Sequence, residues 1–267
     1  MKRLAVMTDV HGNMYALQAV LRDLKKQRID TTFCTGDLIG IGPFSNQVCE
    51  RLYSLKDMNI VRGNHDEAVL ALMKGDPYPE SRIDVQEHHQ WVADHLYKRY
   101  AKWIENLPRQ MVKEIEGRSF QFTHYPMDAK SSLLPISEDP FDQLVPPNGE
   151  NFSQLEELEA GTVLCFGHDH DVHHFSMNDR VFFNPGALGC NNVPYARYGI
   201  IEVEDGNVRF IKRQVPYPMA TYLERLNRID FPRKEVILKL FQKNRRTHHD
   251  PTETYRISSD HYNESRK

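Results

Sequence analysis

The first 66 residues alternate short apolar runs with helical patterns, and no other feature of the chain constrains the fold as strongly. Residues 4–7, 31–34 and 59–61 have the length and apolar content of buried strands. Helical periodicity fills the two segments between them, with Asn13 at the N-cap position of the first and Pro43 near the start of the second. This β-α-β-α-β order predicts parallel strands joined by right-handed crossovers, and therefore an α/β fold.

The rest of the chain divides into a helical insertion, a second group of strands and two C-terminal helices. Apolar residues at helical spacing predict an insertion over residues 67 to about 107, interrupted at Gly75-Asp76-Pro77. Pro232 splits the helical pattern of residues 218–243, and such helices can pack on a sheet or form a dimer contact. Between these segments, strands are predicted at 110–115, 119–123, 162–166, 173–177, 181–183, 199–203 and 208–212.

Two polar segments lie outside these elements. Residues 126–150 are rich in Pro, Ser and Asp and predict a long loop. Residues 244–267 predict a polar tail with little order. The expected organisation is therefore one domain over residues 1–243, followed by this tail.

Composition excludes several classes of protein. The net charge of −3 gives no basic field that would mark a nucleic-acid binder. The apolar run at 4–7 is too short for a signal peptide, and no run is long enough to span a membrane, so a cytoplasmic protein is expected. The four cysteines form no CxxC pair and predict reduced thiols.

Five of the predicted strands end in polar residues of the same chemical kind. Strands of an α/β sheet end at a shared edge, where loops bind ligands, and carboxylate, imidazole and amide groups suit divalent transition ions. Alternate side chains of an extended chain share a face, so Asp9 and His11 are expected to reach one ion. The same spacing predicts this for His168 and His170. The five motifs are Asp9-Val10-His11, Gly36-Asp37, Gly63-Asn64-His65-Asp66, His124 and Gly167-His168-Asp169-His170.

Each motif alone is compatible with an ordinary turn, but five in this order are not. Together they resemble the pattern of the calcineurin-like metallophosphoesterases, D-x-H, GD, GNH[DE], H and GHxH, which stands here as DVH, GD, GNHD, THY and GHDH. The later NPGALG is similar to the NPGS-type loop of the family, and TGDLIGIGPFSNQV is similar to small bacterial members. The resemblance covers about residues 1–212. It implies a four-layer α/β/β/α sandwich of two mixed sheets, with the helical insertion as a cap.

The resemblance also implies two divalent metal ions, for which the nitrogen and oxygen ligands admit Mn, Fe, Zn or Ni. One ion is expected on Asp9, His11 and His170, the other on Asn64, His124 and His168, with Asp37 between them. His65 is expected at the leaving oxygen of the substrate, oriented by Asp66. The implied reaction is attack of metal-bound hydroxide on phosphorus. Two positions depart from the family pattern, Asp169 in the last motif and Tyr125 after His124.

The sequence leaves the substrate open. A small, nucleotide-like phosphodiester or phosphoanhydride such as a dinucleoside polyphosphate is favoured, with a phosphomonoesterase or protein phosphatase as the alternative and a nuclease or a non-catalytic metal-binding scaffold less favoured. Arg62 is interpreted as ion-paired or solvated rather than as a phosphate ligand. The aromatic residues of the insertion are expected to form its core rather than to stack on a base, and its histidines are expected to be solvated. These residues are Trp91, Tyr97, Tyr100, Trp103, His88, His89 and His95.

Overall fold

Eleven strands in two sheets make up the centre of the computed structural model, which describes residues 1–141, 146–153, 158–241 and 252–257. The strands are β1 (Lys2–Met7), β2 (Thr31–Cys34), β3 (Met58–Ile60), β4 (Gln110–Ile115), β5 (Arg118–Thr123), β6 (Val163–Cys165), β7 (His173–Met177), β8 (Arg180–Asn184), β9 (Tyr195–Glu204), β10 (Asn207–Pro216) and β11 (Thr252–Ile257). The helices are α1 (Met14–Leu24), α2 (Ser45–Tyr53), α3 (Asn64–Lys74), α4 (Gln86–His95), α5 (Lys98–Glu105), α6 (Gly149–Ser153), α7 (Met219–Arg228) and α8 (Lys234–Leu240), with short 3₁₀ helices at Glu80–Val85, Ser131–Leu133 and Ile136–Glu138. None of these helices is long and apolar enough to cross a membrane.

The first sheet has the order β11-β10-β9-β1-β2-β3 and the second the order β4-β5-β6-β8-β7. β1, β2 and β3 are parallel, as the β-α-β-α-β pattern predicts, while β9 pairs antiparallel with β1. The second sheet is also mixed, because β5, β6 and β8 are parallel and its two edge strands are antiparallel to their neighbours. The expected α/β/β/α architecture is confirmed.

Alternation along the strands explains why the two sheets pack face to face. In β1, Leu4 and Val6 are buried between the sheets, whereas Ala5 and Met7 pack against the helical layer. Phe33 of the first sheet stacks on Phe122 of the second, with ring centroids 3.7 Å apart and planes 3° from parallel. Such a pair contributes roughly 0.5–1.5 kcal/mol beyond the area that it buries, so it helps to fix how the sheets face each other.

The helical layer on the first sheet contains the first helix of the chain, α1, and the last two, α7 and α8. Asn13 is the N-cap of α1 as predicted, because its side-chain oxygen accepts a hydrogen bond from the Ala16 backbone at 3.0 Å. Tyr222 of α7 and Ile237 of α8 are buried in the same layer. The C-terminal helices therefore pack within this molecule, against the layer that covers the first sheet.

The insertion between β3 and β4 is helical, as predicted, but two of its histidines are buried rather than solvated. His88 and His89 are both 0% exposed, and only His95 is exposed. The imidazole of His88 has its Nε2 atom 2.8 Å from the Ile41 carbonyl oxygen. The expectation of solvated histidines was wrong for this pair because α4 packs against the chain that follows β2 and so covers one polar face of the helix.

The expectation of little order after residue 243 was wrong for one segment. Residues 252–257 form β11, which pairs antiparallel with β10 and so covers an edge of the first sheet. An unpaired strand edge offers a full row of backbone hydrogen-bond groups, and the sequence TETYRI has the β-branched and aromatic residues that suit a strand. The remainder of the predicted tail lies outside the described residues.

Candidate metal centre

The seven side chains predicted to bind metal lie together where the strands of both sheets end. Asp9 and His11 follow β1, Asp37 follows β2, and Asn64 begins α3 directly after β3. From the second sheet, His124 follows β5, and His168 and His170 follow β6. Segments that are far apart in sequence are thus joined at one edge of the sandwich.

Asp9, His11 and His170 form one cluster. The Nε2 atoms of His11 and His170 are 3.0 Å apart, and they lie 3.6 and 3.7 Å from the Asp9 Oδ1 atom. Two imidazole nitrogens and a carboxylate oxygen facing one another at these distances are the donor set of a divalent transition ion.

Asn64, His124 and His168 form a second cluster beside the first. One terminal atom of the Asn64 amide lies 2.9 Å from the His124 Nε2 atom and 3.1 Å from the His168 Nδ1 atom. Its other terminal atom lies 3.1 Å from both the Nε and Nη2 atoms of Arg82, a residue of the insertion that the sequence did not single out. The insertion therefore places a positive charge next to this cluster.

Asp37 lies between the clusters. Its Oδ2 atom is 3.6 Å from His11 Nε2 in the first cluster and 3.2 Å from His124 Nε2 in the second. The Oδ1 atom accepts a hydrogen bond from the His65 backbone at 2.9 Å, which fixes the orientation of the carboxylate. The Asp37 carboxylate therefore lies near nitrogens of both clusters.

The environment of Asp9 tests whether these residues fit a cation. The side chain is 0% exposed, and neither of its oxygens has a hydrogen-bond partner among the described residues. A carboxylate buried without donors costs several kcal/mol unless a cation compensates its charge. Two triads, Asp9–His11–His170 and Asp9–Asp37–His124, have ligand atoms within 4.8 Å of one another. The donor set thus fits divalent metal ions.

Electrostatics favour the ionised form of both carboxylates. Burial alone would raise the pKa of Asp9, but the imidazoles of His11 and His170 lower it below its usual value. Burial likewise opposes ionisation of Asp37, yet the charge of His124 lowers its pKa well below the usual value. The centre therefore offers two anionic ligands among imidazole and amide donors.

Four of the predicted ligands have left-handed backbone conformations, which are uncommon for residues other than glycine. The φ angles of Asp9, His11, Asp37 and His168 are 52°, 48°, 53° and 68°. The premise that Asp9 and His11 share a face of an extended strand was therefore wrong, although the two side chains do meet. His168 and His170 do not share a cluster either. Conformations of this kind cost of order 1–3 kcal/mol each and accumulate at functional sites.

Close packing around Asp37 explains the glycine that precedes Asn64. A Cβ atom on Gly63 would lie 2.1 Å from the Asp37 Oδ1 atom and 2.5 Å from its backbone nitrogen. The backbone of Gly63 is extended, with φ −107° and ψ −178°, so close approach rather than an unusual φ requires glycine here.

Asp66, which the resemblance places behind His65, accepts its hydrogen bonds from backbone groups in the described structure. Its Oδ1 atom accepts hydrogen bonds from the Leu38 and Ile39 backbones at 2.9 and 3.1 Å, and its Oδ2 atom accepts one from the Gly63 backbone at 2.9 Å. The carboxylate thus joins the start of α3 to the loop after β2. The ring of His65 is instead 2.9 Å from His89, between Nδ1 and Nε2.

A cavity of about 370 Å³ opens on the centre. The insertion and α8 both line it, and neither carries a family motif. Its polar lining includes Asp37, Asn64, His65, Arg82, His168 and His170. Its apolar lining includes Ile41, Val85, Val236, Ile237 and Leu240.

The remaining predicted positions lie away from this cavity. Tyr125 is 2% exposed and packs against Phe152 and Phe166, so its ring supports His168 from behind and is not open for stacking on a base. Arg62 is ion-paired, as expected, with its Nε atom 2.7 Å from the Glu67 Oε1 atom.

Asp169 and the aromatic residues of the insertion also have structural contacts of their own. The Oδ1 atom of Asp169 lies 3.3 Å from the His173 Nε2 atom. Trp91 and Trp103 pack against the helical core, and Tyr100 is buried in it. Tyr97 is 56% exposed and does not line the cavity. The expectation of a core role therefore holds for three of the four aromatic residues.

Comparison with known proteins gives a family match over most of the chain. The model of the calcineurin-like phosphoesterase superfamily domain matches residues 1–206. An uncharacterized protein of Methanocaldococcus jannaschii is 25% identical over 231 residues, which cover 84% of this chain and 91% of that protein.

One solved structure and one enzyme are similar to the chain in different ways. A hypothetical protein from Pyrococcus horikoshii has the same fold, with a TM-score of 0.69 at 16% identity, covering 90% of this chain and 98% of that one. The symmetrical bis(5'-nucleosyl)-tetraphosphatase of Psychromonas ingrahamii is 42% identical, but over only 73 residues, which are 26% of each protein.

Proposed function

Because the chain belongs to the calcineurin-like phosphoesterase superfamily and is thus a phosphoester hydrolase, we propose that it binds two divalent ions and cleaves nucleotide-type phosphodiesters or phosphoanhydrides. Dinucleoside polyphosphates are the favoured substrates. The main observation that supports this proposal is the position of Asp37. A single buried carboxylate lies within 3.6 Å of a nitrogen in each of two clusters, which supports a pair of ions rather than one.

The proposed ligands are those predicted from the sequence. Asp9, His11 and His170 would bind one ion, Asn64, His124 and His168 the other, and Asp37 both. When bound, two divalent ions supply positive charge that offsets a phosphate group, and they make water nucleophilic near neutral pH.

His65 and Arg82 are the groups of the protein that would act directly on the substrate. His65 lines the cavity next to both clusters, and its Nε2 atom has no hydrogen-bond partner among the described residues. It is therefore placed to give a proton to the leaving oxygen, which is general-acid catalysis. Arg82 would bind a phosphate oxygen, since guanidinium groups bind phosphate in a bidentate geometry.

The cavity supports a substrate that has an apolar group attached to its phosphate. A volume of about 370 Å³ falls within the range of small-molecule sites, and apolar side chains of α8 line the cavity together with charged and polar residues. A nucleoside linked to phosphate matches this combination better than inorganic phosphate does. The partial similarity to a symmetrical bis(5'-nucleosyl)-tetraphosphatase supports the same substrate class.

The test combines metal analysis with a substrate screen. The protein is reconstituted separately with Mn, Fe, Zn and Ni, and turnover is measured on aryl mono- and diesters, diadenosine tetraphosphate and a phosphopeptide. We expect two ions per chain and the highest kcat/KM on diadenosine tetraphosphate. A preference for the phosphopeptide or the monoester would identify a phosphatase, and metal binding without turnover of any ester would identify a scaffold.

Two variants distinguish a specific effect on the metal centre from a general effect on the surrounding loops. Asp37→Asn should lower both metal stoichiometry and turnover, because it removes the shared charge. Asp169→Asn is the matched control, since its carboxylate lies in the GHDH loop but contacts His173. One bound ion in the active wild-type protein would refute the dinuclear centre.

A further inference from the structure

The imidazole of His65 is the start of a chain of hydrogen bonds that runs into the insertion. Its Nδ1 atom is 2.9 Å from the Nε2 atom of His89 in α4. The Nδ1 atom of His89 is 2.7 Å from the Tyr78 hydroxyl, which donates a hydrogen bond to the Arg82 carbonyl oxygen at 3.1 Å. Three side chains and one carbonyl group thus form an ordered series behind the residue that faces the substrate.

The carbonyl at the end of the series determines the direction of every bond in it. A carbonyl oxygen can only accept, so the single hydroxyl proton of Tyr78 is directed to Arg82. His89 must then donate its Nδ1 proton to the Tyr78 oxygen. A neutral His89 consequently has a bare Nε2 atom, which accepts the Nδ1 proton of His65.

We propose that His89, itself oriented by Tyr78, is the positioning residue for His65 and keeps the Nδ1 proton of His65 in place, so that Nε2 is the nitrogen that exchanges a proton with the substrate. This inference rests on the proposed hydrolase function. It assigns to the insertion the role that the family resemblance gives to Asp66.

The proton transfer balances in this arrangement. For this transfer, a neutral His65 takes up a proton from solvent on Nε2 before the bond breaks, while its Nδ1 proton stays shared with His89. As the phosphorus–oxygen bond breaks, the Nε2 proton moves to the leaving oxygen and the bonding electrons stay with that oxygen. The neutral His65 that results has its proton on Nδ1, which is the tautomer that the bare Nε2 atom of His89 stabilises.

Packing around the pair supports a dedicated contact. His89 is 0% exposed, and burial lowers its pKa to about 3, so it remains neutral and able to accept. A Cβ atom on Gly40 would lie 2.7 Å from the His65 Cβ atom and 3.0 Å from its Nδ1 atom. The absence of a side chain there leaves room for His65 to turn its Nδ1 atom toward α4.

The kinetic test uses two substrates that differ in their need for a proton. His89→Ala should lower kcat by about 10- to 100-fold on a dinucleoside monophosphate, whose alkoxide leaving group needs protonation, with little change in KM. The loss should be small on an aryl diester, since p-nitrophenolate leaves without a proton. Tyr78→Phe should give a weaker loss of the same kind. His89→Gln, which keeps an acceptor near the Nε2 position, should recover part of the rate.

His88→Ala is the matched control, because this neighbour is equally buried but bonds the Ile41 carbonyl. It should lower thermal stability as much as His89→Ala without the difference between leaving groups. Equal losses on both substrates, or equal effects of the two alanine variants, would overturn the proposal.

A spectroscopic measurement tests the same contact without relying on turnover. Long-range ¹H–¹⁵N correlation spectra distinguish protonated from bare ring nitrogens, and His65→Gln and His89→Gln identify the signals. In the metal-free and zinc-loaded protein we expect neutral His65 and neutral His89 both to carry the proton on Nδ1. A neutral His65 with its proton on Nε2 would refute the proposal even in an active enzyme. If no phosphate ester is hydrolysed, the proposed function fails, while the tautomer result still decides whether His89 holds His65.

Discussion

Gly63→Ala should damage the metal centre although alanine suits the backbone conformation at this position. The new Cβ atom would lie 2.1 Å from the Asp37 Oδ1 atom, whereas ordinary van der Waals contact begins near 3.4 Å. Asp37 must therefore move by about 1.3 Å, the difference between these two distances, or the backbone of α3 must shift by a similar amount. Either movement separates Asp37 from one of the two clusters that it joins.

The size of the effect follows from how sharply catalysis depends on position. A displacement of 1 Å can cost roughly 100-fold in rate, so we expect kcat/KM to fall by at least about that factor. Metal stoichiometry, measured on the same samples by atomic emission, should fall below that of the wild-type protein. The assay is turnover of an aryl diester at saturating metal, which limits the contribution of weaker metal affinity.

Gly75→Ala is the control at the other end of the same helix. Gly75 has φ +76° and no atom within 4 Å of a built Cβ, so alanine there is strained but meets nothing. It should cost about 1 kcal/mol of stability and leave kcat/KM and metal content unchanged. If Gly63→Ala keeps both wild-type activity and two bound ions, or if Gly75→Ala loses as much activity, Asp37 does not depend on close packing against Gly63.

Three further predictions address the charged groups. His65→Ala should lower kcat by roughly 10²- to 10⁴-fold while metal content stays intact, and loss of the metals would show that His65 is a ligand instead. Arg82→Gln should raise KM for anionic substrates by about 10- to 100-fold, the value of a charge-assisted hydrogen bond, with kcat changed less; an unchanged KM would mean that Arg82 does not contact substrate. Hydrogen bonds from Arg213 and Tyr198 lower the pKa of Asp23 against the effect of burial, so its contribution to stability is present above the unfolded-state pKa of about 3.9 and is lost as the pH falls through the folded-state value. Asp23→Asn should therefore lower the melting temperature at pH 7 and much less at pH 3, as thermal unfolding at the two values can check.

The strands could be predicted from sequence because burial on two sides imposes a regular pattern. In β6, Val163 and Cys165 pack between the sheets while Leu164 packs on the outer face, and so all three are apolar. Tight turns added the second signal, since Asn178 and Asp179 have φ values of 51° and 58° where the hairpin of β7 and β8 turns. Both signals are local, which is why the predicted strands differ from the observed ones mainly at their ends.

The convergence of the proposed ligand residues could be predicted because the strand ends of an α/β sandwich meet at one edge, whatever the backbone conformation at each residue. The left-handed conformation of Asp9 and His11 could not be predicted, because Asp and His adopt it more often than most residues but still uncommonly. Spacing arguments based on extended chains therefore selected side chains that do converge, but with the wrong backbone geometry. The fold brings these side chains to one edge of the sandwich, and the left-handed backbone conformations then set their directions.

His89 and Arg82 could not be assigned from sequence for a different reason. Their relation to His65 and Asn64 depends on how the insertion packs over the strand ends, and helical periodicity does not report which residue of a covered face meets the site. A polar residue in an amphipathic segment ordinarily predicts a solvated side chain, and burial of two histidines in α4 reverses that expectation.

The division between motif residues and insertion residues explains why the family can be recognised while the substrate stays open. The motifs supply the proposed ligands for metal ions, and any phosphate ester can use such a centre. The groups that would distinguish one ester from another come from elsewhere: Arg82 and His89 from the insertion, and the apolar wall from α8. If this division is correct, exchanging the insertion of this chain for that of a relative should change substrate preference and dependence on the leaving group while leaving metal content the same. A change in metal stoichiometry instead would show that the insertion is part of the metal centre itself.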